Sequence, residues 1–458
     1  MNQTTRLNLP ATLIGLLAAT GLLSGCASNP AVNAPPLTAQ EATQPAKGTI
    51  TVWSWNIAAK ALQDISPSFQ QMNPGAHVNV DITGASMQTR FMLSLAADVG
   101  APDVSQLQIT DAPHYMATGK LADLTAVAAK YQSKFPASRW AECVMNGHVY
   151  AIPWDLGPVA IFYKRNIFKE YNINPSSIHT WADYIAAGKK IVALSHGKTK
   201  MLALGISGLA DMFEIFLQQT HGQVFDDSGR IAVNSPQAHE ALQMMRQIHA
   251  AGITSDINAY SQEWMAGFND SSLATYPGAV WLGGIIKDSQ THYDTSTTKW
   301  GVFRLPAIQR GGVHVANLGG SVLVIPKQCA NKTAAWAFVK YALCTKAGQL
   351  MQYEKESLYP SYMPALKSHV MDRPDPFFGG QPVGRLFATD VQKIWRINRT
   401  ANWAEAESYI QQDLSQWAAA GMPHNHLLAN LALSLHQRLD VPLAPTAPTS
   451  TTSSAVQQ

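Results

Sequence analysis

Charge is scarce in this chain. Only 14% of its 458 residues are Asp, Glu, Lys or Arg, against about a quarter in ordinary soluble domains. The formal net charge is +3, and Lys and Arg form no stripe, which argues against nucleic acid as a partner. Cysteine is sparse too. There are four, none in a C-x-x-C arrangement, so neither a zinc ribbon nor a dithiol redox centre is expected. Beyond the N-terminus no stretch approaches the ~18 uninterrupted apolar residues of a membrane span. The patterns G-x-S-x-G, H-E-x-x-H and G-x-x-x-x-G-K-[ST] are missing, as is any repeat of solenoid period. No cofactor and no metal site are expected. His424-Asn425-His426 lacks a third ligand nearby and reads as surface histidine.

What is present begins at the N-terminus. Arg6 precedes an apolar segment, residues 11–23, that stops at Leu23-Ser24-Gly25-Cys26. Small residues and a cysteine at the end of such a run look like a bacterial lipobox; the alternative is a plain secretory peptide with a chance cysteine. Residues 1–26 are therefore expected to be a lipoprotein signal, with Cys26 lipidated. The protein would be exported and tethered by acyl chains on the extracytoplasmic side, in a periplasm or at a cell surface, without spanning the membrane. Residues 27–47, rich in Ala, Pro, Thr, Asn and Gln, read as a flexible linker. Residues 441–458 are low-complexity and read as a disordered tail. The span between is long enough for two lobes with substantial cores. Cys143, Cys329 and Cys344 read as small buried thiols, because a helical pattern over 332–343 separates the last two beyond disulfide reach.

Periodicity places strands at 49–55, 78–82 and 104–109, with helices at 58–72 (Pro67 kinking it) and 87–97. That alternation argues for an α/β lobe on a largely parallel sheet. Apolar runs at 149–152 and 159–163 flank Trp154-Asp155 and Gly157-Pro158, where the chain is expected to cross between lobes. Helices follow at 181–194, entered through Thr180 as N-cap, and at 237–251, ended by Gly252. Strands are expected at 272–281, 300–305 and 317–326, then a helix at 332–343 and mostly helix from 387 to 439.

Twelve tryptophans in so weakly charged a chain suit a neutral guest with apolar faces. A pyranose is such a guest: an aromatic ring covers its C–H face, and amides or carboxylates take its hydroxyls. Trp55 and Asn56 end the first strand, where the alternatives are a core indole and ordinary turn chemistry. Gln108 and Asp111 follow the third strand; a solvated loop is the alternative. Trp154 and Asp155 are the leading pair, unless Trp154 merely packs beneath a structural turn. Trp281, with Tyr276 as a weaker neighbour, is a candidate at the end of the strand expected over 272–281. Gly319 and Gly320 would admit the backbone close to a ligand or form a bulge. Tyr359 and the Phe378-Gly379-Gly380-Gln381 turn are further rim candidates.

The lipobox, ITVWSWN, APDVSQLQ followed by GKLADLT, YAIPWDLGPVAIFYK leading to HTWADY, ATYPGAVW, LGGSVLVIP and FFGGQPVG stand in one order along the chain. Together they resemble the extracellular solute-binding lipoproteins of carbohydrate ABC importers, the maltodextrin-binding-like family. The resemblance implies a two-lobe, type II periplasmic-binding-protein-like α/β fold with a hinge and an inter-lobe cleft. It implies a sugar carried to an ABC permease and its ATPase. Lobe I would comprise 48–156 and 315–372, lobe II 157–314 and 373–440, and a monomer is expected. In that family the loop ligands include acids where this chain has Asn56, Ile57 and Thr110, so maltose is not implied. Two other readings stay open. One is an exported carbohydrate-active hydrolase using Asp155 with a second carboxylate; the other is a receptor for a polyol or other non-sugar solute. A cationic ligand would need more acids in the cleft than the sequence reveals.

Overall fold

The structure is a computed structural model, and it describes residues 36–84, 86–289, 299–423 and 426–445. Cys26, the 11–23 segment, His424-Asn425 and residues 446–458 lie outside the described residues.

The first lobe opens with strand β1 (Gly48–Ser54), helix α1 (Asn56–Met72), β2 (Ala76–Ile82), α2 (Met87–Ala97) and β3 (Val104–Gln108). β1 pairs in parallel with both β2 and β3. α1 runs through Pro67; beside it Ser66 Oγ donates back to the Leu62 carbonyl at 2.6 Å. Short helices α3 (Ala112–Ala117) and α4 (Ala137–Ala141) follow, and β4 (Ala151–Pro153) is the last strand before the chain leaves.

The second lobe is built on β5 (Val159–Lys164), whose six residues are all buried. Helix α5 (Trp181–Leu194) starts in a full capping box, the Thr180 hydroxyl accepting from Asp183 N while the Asp183 carboxylate accepts from Thr180 N. Helix α6 (Leu209–Gln219) is followed by α7 (Pro236–Ala250), which has Ser235 as N-cap and proline at its first position. Strands β6 (Thr275–Ala279) and β7 (Trp300–Arg304) both run antiparallel to β5 and flank it. The chain then returns to the first lobe as β8 (Ser321–Val324), α8 (Lys332–Leu343) and α9 (Lys346–Glu356), and ends in α10 (Trp403–Ala419) and α11 (Leu427–Leu439). The first sheet is ordered β2-β1-β3-β8-β4. It is mixed rather than largely parallel: β8 re-enters opposite to the departing β4 and pairs antiparallel with β4 and β3.

The lobes are two α/β bodies joined by three chain segments lying side by side. Leu318 N donates to the Gly157 carbonyl at 2.8 Å, and Val159 N to Ala316 O at 2.9 Å. On the other flank Leu156 N donates to Tyr359 O at 3.0 Å, and Asp155 bridges Pro360. Gly157 is needed at this crossing. A Cβ there would lie 1.8 Å from the Leu318 carbonyl oxygen, so the two backbones could not close their hydrogen bonds.

Several expected boundaries move. Leu37 and Ala46 are buried in the first-lobe core, and Asn331 Nδ2 donates to the Lys47 carbonyl at 2.7 Å, so the end of the expected linker is packed rather than free. At the other end Ile231 N donates to Pro442 O, and Ala444 N to Ile231 O; the start of the expected tail is a short strand-like addition to the second lobe. Tyr359, Leu366, Val370 and Met371 sit in one core with Phe162, Tyr276 and Phe378. The segment before 372 therefore packs with the second lobe, because apolar burial and not chain order assigns it. Cys143, Cys329 and Cys344 are free and buried.

Replacing Gly157 by Ala is expected to cost roughly 2–4 kcal/mol, read as a fall in the urea midpoint. Gly284→Ala, whose Cβ would meet nothing within 4 Å, should leave the midpoint nearly unchanged.

Candidate functional site

At the carboxyl ends of the first-lobe strands, the usual ligand side of an open α/β sheet, stand Trp55, Asn56, Gln108 and Asp111. Trp55 is half-buried beside β1, resting on the core that holds Trp53, Phe91 and Tyr115. Trp53 points the same way but is buried under the Arg90 guanidinium, 4.4 Å from its ring. Asn56 is exposed with φ of 49°, the left-handed conformation that asparagine tolerates better than most residues. Gln108 and Asp111 are half-buried. Asp111 accepts from Gln88 Nε2 at 2.6 Å; burial raises its carboxyl above the ordinary carboxylate range, with the Gln88 bond and His114 acting the other way.

From the second lobe comes a small cavity lined by Asp211, Met212, Ile215, Tyr260, Trp281 and Leu318, among others. Trp281 is half-buried just past β6. Its ring lies 6.2 Å from that of Tyr260 at an interplanar angle of 32°, and Tyr260 is 47% exposed. A Cβ at Gly319 would be 4.0 Å from Trp281 Nε1, so the returning hinge strand passes directly by the indole. Gly319 and Gly320 both have positive φ, and at Gly320 a Cβ would strike the Asp155 carbonyl at 2.7 Å.

Three expected ligand residues are elsewhere. Trp154 is 1% exposed inside the first-lobe core, and its Nε1 donates to Gln352 Oε1 at 2.6 Å. It packs under the crossing strand and faces no groove. Tyr276 packs between Trp264 and Phe268, with ring centroids 5.3 and 4.8 Å away; only its edge reaches the cavity wall. Tyr359 is 1% exposed, and its hydroxyl donates to the Gly384 carbonyl at 2.7 Å. Each is turned into a core by apolar packing of its ring, which local sequence does not reveal. Asp155 is half-buried, and its Oδ1 accepts from Ser321 N at 2.8 Å and Ser321 Oγ at 2.5 Å. Burial raises its carboxyl and the Ser321 bonds oppose that; its role here is to staple two hinge strands. The Phe378–Gln381 turn is also structural: Gln381 Nε2 donates to Val302 O, and its Oε1 accepts from Arg165.

Charged residues without a strand-end signal in the sequence join the two lobes. Asp211 and Glu214 stand on α6, Glu407 on α10, Arg399 just before α10, and Glu142 just after α4. Arg399 donates to Glu142 of the first lobe and Glu214 of the second, each at 2.5 Å. Arg139 makes an ion pair with Glu142 at 2.8 Å, and its Nη2 donates to the Gly319 carbonyl at 3.2 Å. Burial works against the Arg399 charge, but Glu214 and Glu142 outweigh it and hold the guanidinium firmly protonated. Asp211 is pushed up to about 7, first by burial and then by the Glu214 and Glu407 charges. Glu407 is raised first by burial and then by Glu214, with Arg399 and a Trp403 hydrogen bond acting the other way and Asp111 adding to the rise. The only local signal for α6 was two acids in an otherwise apolar stretch, LADMFEIFL.

A model of the bacterial extracellular solute-binding protein family matches residues 65–372. The chain belongs to that family. Among family relatives, the arabinooligosaccharide-binding protein of Halalkalibacterium halodurans is 25% identical over 261 residues, 56% of this chain and 57% of that one. The lactose-binding protein of Rhizobium radiobacter is 23% identical over 369 residues, 77% and 84% of the two chains. The match thus spans less than two thirds of the arabinooligosaccharide-binding relative. Of solved structures, the sugar-binding protein MalE of Xanthomonas citri superposes with a TM-score of 0.74 at 19% identity, covering 85% of this chain and 97% of that one. A binding protein of B. animalis subsp. lactis Bl-04 in complex with beta-1,6-galactobiose gives 0.69 at 23%, over 85% and 97%. The two-lobe α/β architecture is that of these receptors.

Two measurements probe the groove. Arg399→Ala leaves Glu214 without its guanidinium partner and Glu142 with Arg139 alone, and should cost about 3–5 kcal/mol in urea unfolding. Asp211 acts through pH. Its folded carboxyl titrates near 7 against 3.8 when unperturbed, so between those values the unfolded chain releases the proton first and stability falls as pH rises. D211N should accordingly be the more stable protein at about pH 8, by roughly 1–3 kcal/mol, with the difference vanishing near pH 4.

Proposed function

We propose that this protein is the capture component of a carbohydrate importer, holding a mono- or oligosaccharide between its lobes and handing it to an ABC permease with its ATPase. The observation that carries this reading is the half-buried Trp281, paired with exposed Tyr260 over a cavity whose other walls include Asp211, Thr275 and further aromatic and aliphatic residues. An exposed indole face next to hydroxyl acceptors is what a pyranose requires. Trp55, Gln108 and Asp111 would meet the same ligand from the first lobe. Family membership and the sugar-binding relatives support the same substrate class.

The reaction has no bond-making step. Ligand contacts from both lobes favour the closed arrangement by their differential affinity, with bending confined to the crossing segments at 154–159, 316–321 and 357–361. The permease reads that closed form. Export and an acyl anchor at Cys26, on a monomeric receptor, complete the proposal; the Leu23–Cys26 tetrapeptide supports them. A hydrolase built on Asp155 gains no support, because its Oδ1 is committed to Ser321.

A thermal-shift screen of mono- and oligosaccharides tests the reading, since a guest bound by the native state alone raises the melting temperature. At least one sugar should do so, and Trp281→Ala should weaken that sugar tenfold or more, about 1.4 kcal/mol. A melting temperature unmoved by every saccharide, or an affinity indifferent to Trp281→Ala, would sink the assignment.

A further inference from the structure

Helix α6 has an aromatic surface at each end. Asp211, in its first turn, lines the cavity of Trp281 and Tyr260. His221, just past its last turn, stacks on Trp395 with ring centroids 4.5 Å apart and an interplanar angle of 27°. About ten residues separate the two ends, roughly 15 Å of helix, with the Glu214–Arg399 ion pair between them. The helix closes in a Schellman motif: Gly222 N donates to Leu217 O at 2.8 Å and His221 N to Gln218 O at 3.2 Å. His221 therefore takes the left-handed position, with φ of 60°, where glycine is the usual residue. The imidazole carried there lies against the Trp395 indole. Trp395 is fixed from a second direction, its Nε1 donating to the Gly222 carbonyl at 3.1 Å. Gln223 holds the same segment through the Arg396 carbonyl and Asn398 N, each at 2.7 Å.

The indole so anchored is still 36% exposed and lines a hollow of about 420 Å³, within the range of small-ligand pockets. Gln237 and Arg396 line it too, and among the described residues neither side chain has a hydrogen-bond or ion-pair partner. Asp227 uses one carboxylate oxygen on Asn398 Nδ2 at 2.8 Å, and no described residue bonds the other. We infer that this hollow is a second saccharide site, outside the groove. A neutral pyranose lies there with a C–H face on Trp395 and its hydroxyls on Gln237, Arg396 and Asp227. The site goes beyond groove capture and does not depend on it. A protein partner would need apolar surface around the indole, yet among the described residues lining the hollow only Trp395 is a large exposed hydrophobic. A nucleotide base would stack as well, but Asp226 and Asp227 on the same lining would repel its phosphates.

Fluorine NMR of fluorotryptophan-labelled protein tests the idea, with W395F and W281F identifying the two resonances. Lactose, maltotriose and cellotriose are the probes. At least one should move the Trp395 resonance saturably, with a Kd of about 1–10 mM, and should do so undiminished in Trp281→Ala. Combining Gln237→Ala with Arg396→Ala, both exposed and unbonded, should raise that Kd by about fivefold or more and leave the melting temperature unchanged. A Trp395 signal unmoved by all three sugars, or moved equally in the double variant, overturns the second site. So does a shift that tracks protein concentration without sugar, which marks a second copy of the chain on this face. If Trp281 responds and Trp395 does not, the second site falls and groove capture stands. The reverse pattern supports the second site and removes the groove.

Discussion

Arg399 ties the two lobes together, and much of the groove depends on how it does so. Its guanidinium is buried and shared between a carboxylate of each lobe, Glu142 and Glu214, with Arg139 balancing the first of these and reaching on to the returning hinge strand. A charge held this far from water is tolerable only while its partners stay in place. Any bending about the three crossing segments must carry this network intact or break it at considerable cost. The same guanidinium also acts on Glu407 of α10, where it opposes the upward push of burial and of Glu214.

The aromatic residues divide into two kinds. Trp154, Tyr276 and Tyr359 are interior residues with satisfied polar ends, and they stiffen the crossing strand and the second-lobe core. Trp281, Tyr260 and Trp55 keep part of a ring in reach of solvent. Only the second kind can exchange a water-covered face for a ligand-covered one. The first kind supports binding indirectly, because a hinge packed around fixed side chains bends as a unit.

Polarity divides in the same way. Asp155 and Gln381 are used up in joining segments of the fold. Asp211 lines the cavity, and burial together with the Glu214 and Glu407 charges raises its affinity for a proton. A binding surface is marked by groups whose interactions the fold has left incomplete.

The sequence by itself determined the local units and their order. Thr180 caps α5, Ser235 and Pro236 open α7, the alternating apolar residues of 48–54 make a strand, and Gly157-Pro158 marks the crossing. Each depends on neighbours within a few residues, so each could be read directly. Trp281, which lines the second-lobe cavity, was legible for the same reason, from its place just past a strand. Only the tertiary structure decided that Trp154 faces a core and Trp281 a groove, that β8 runs against β3, and that residues 36–47 and 441–445 pack rather than trail. Only it brought Glu142, Arg399 and Glu214 together. Burial and electrostatic coupling depend on which distant segments meet, and no local pattern carries that information.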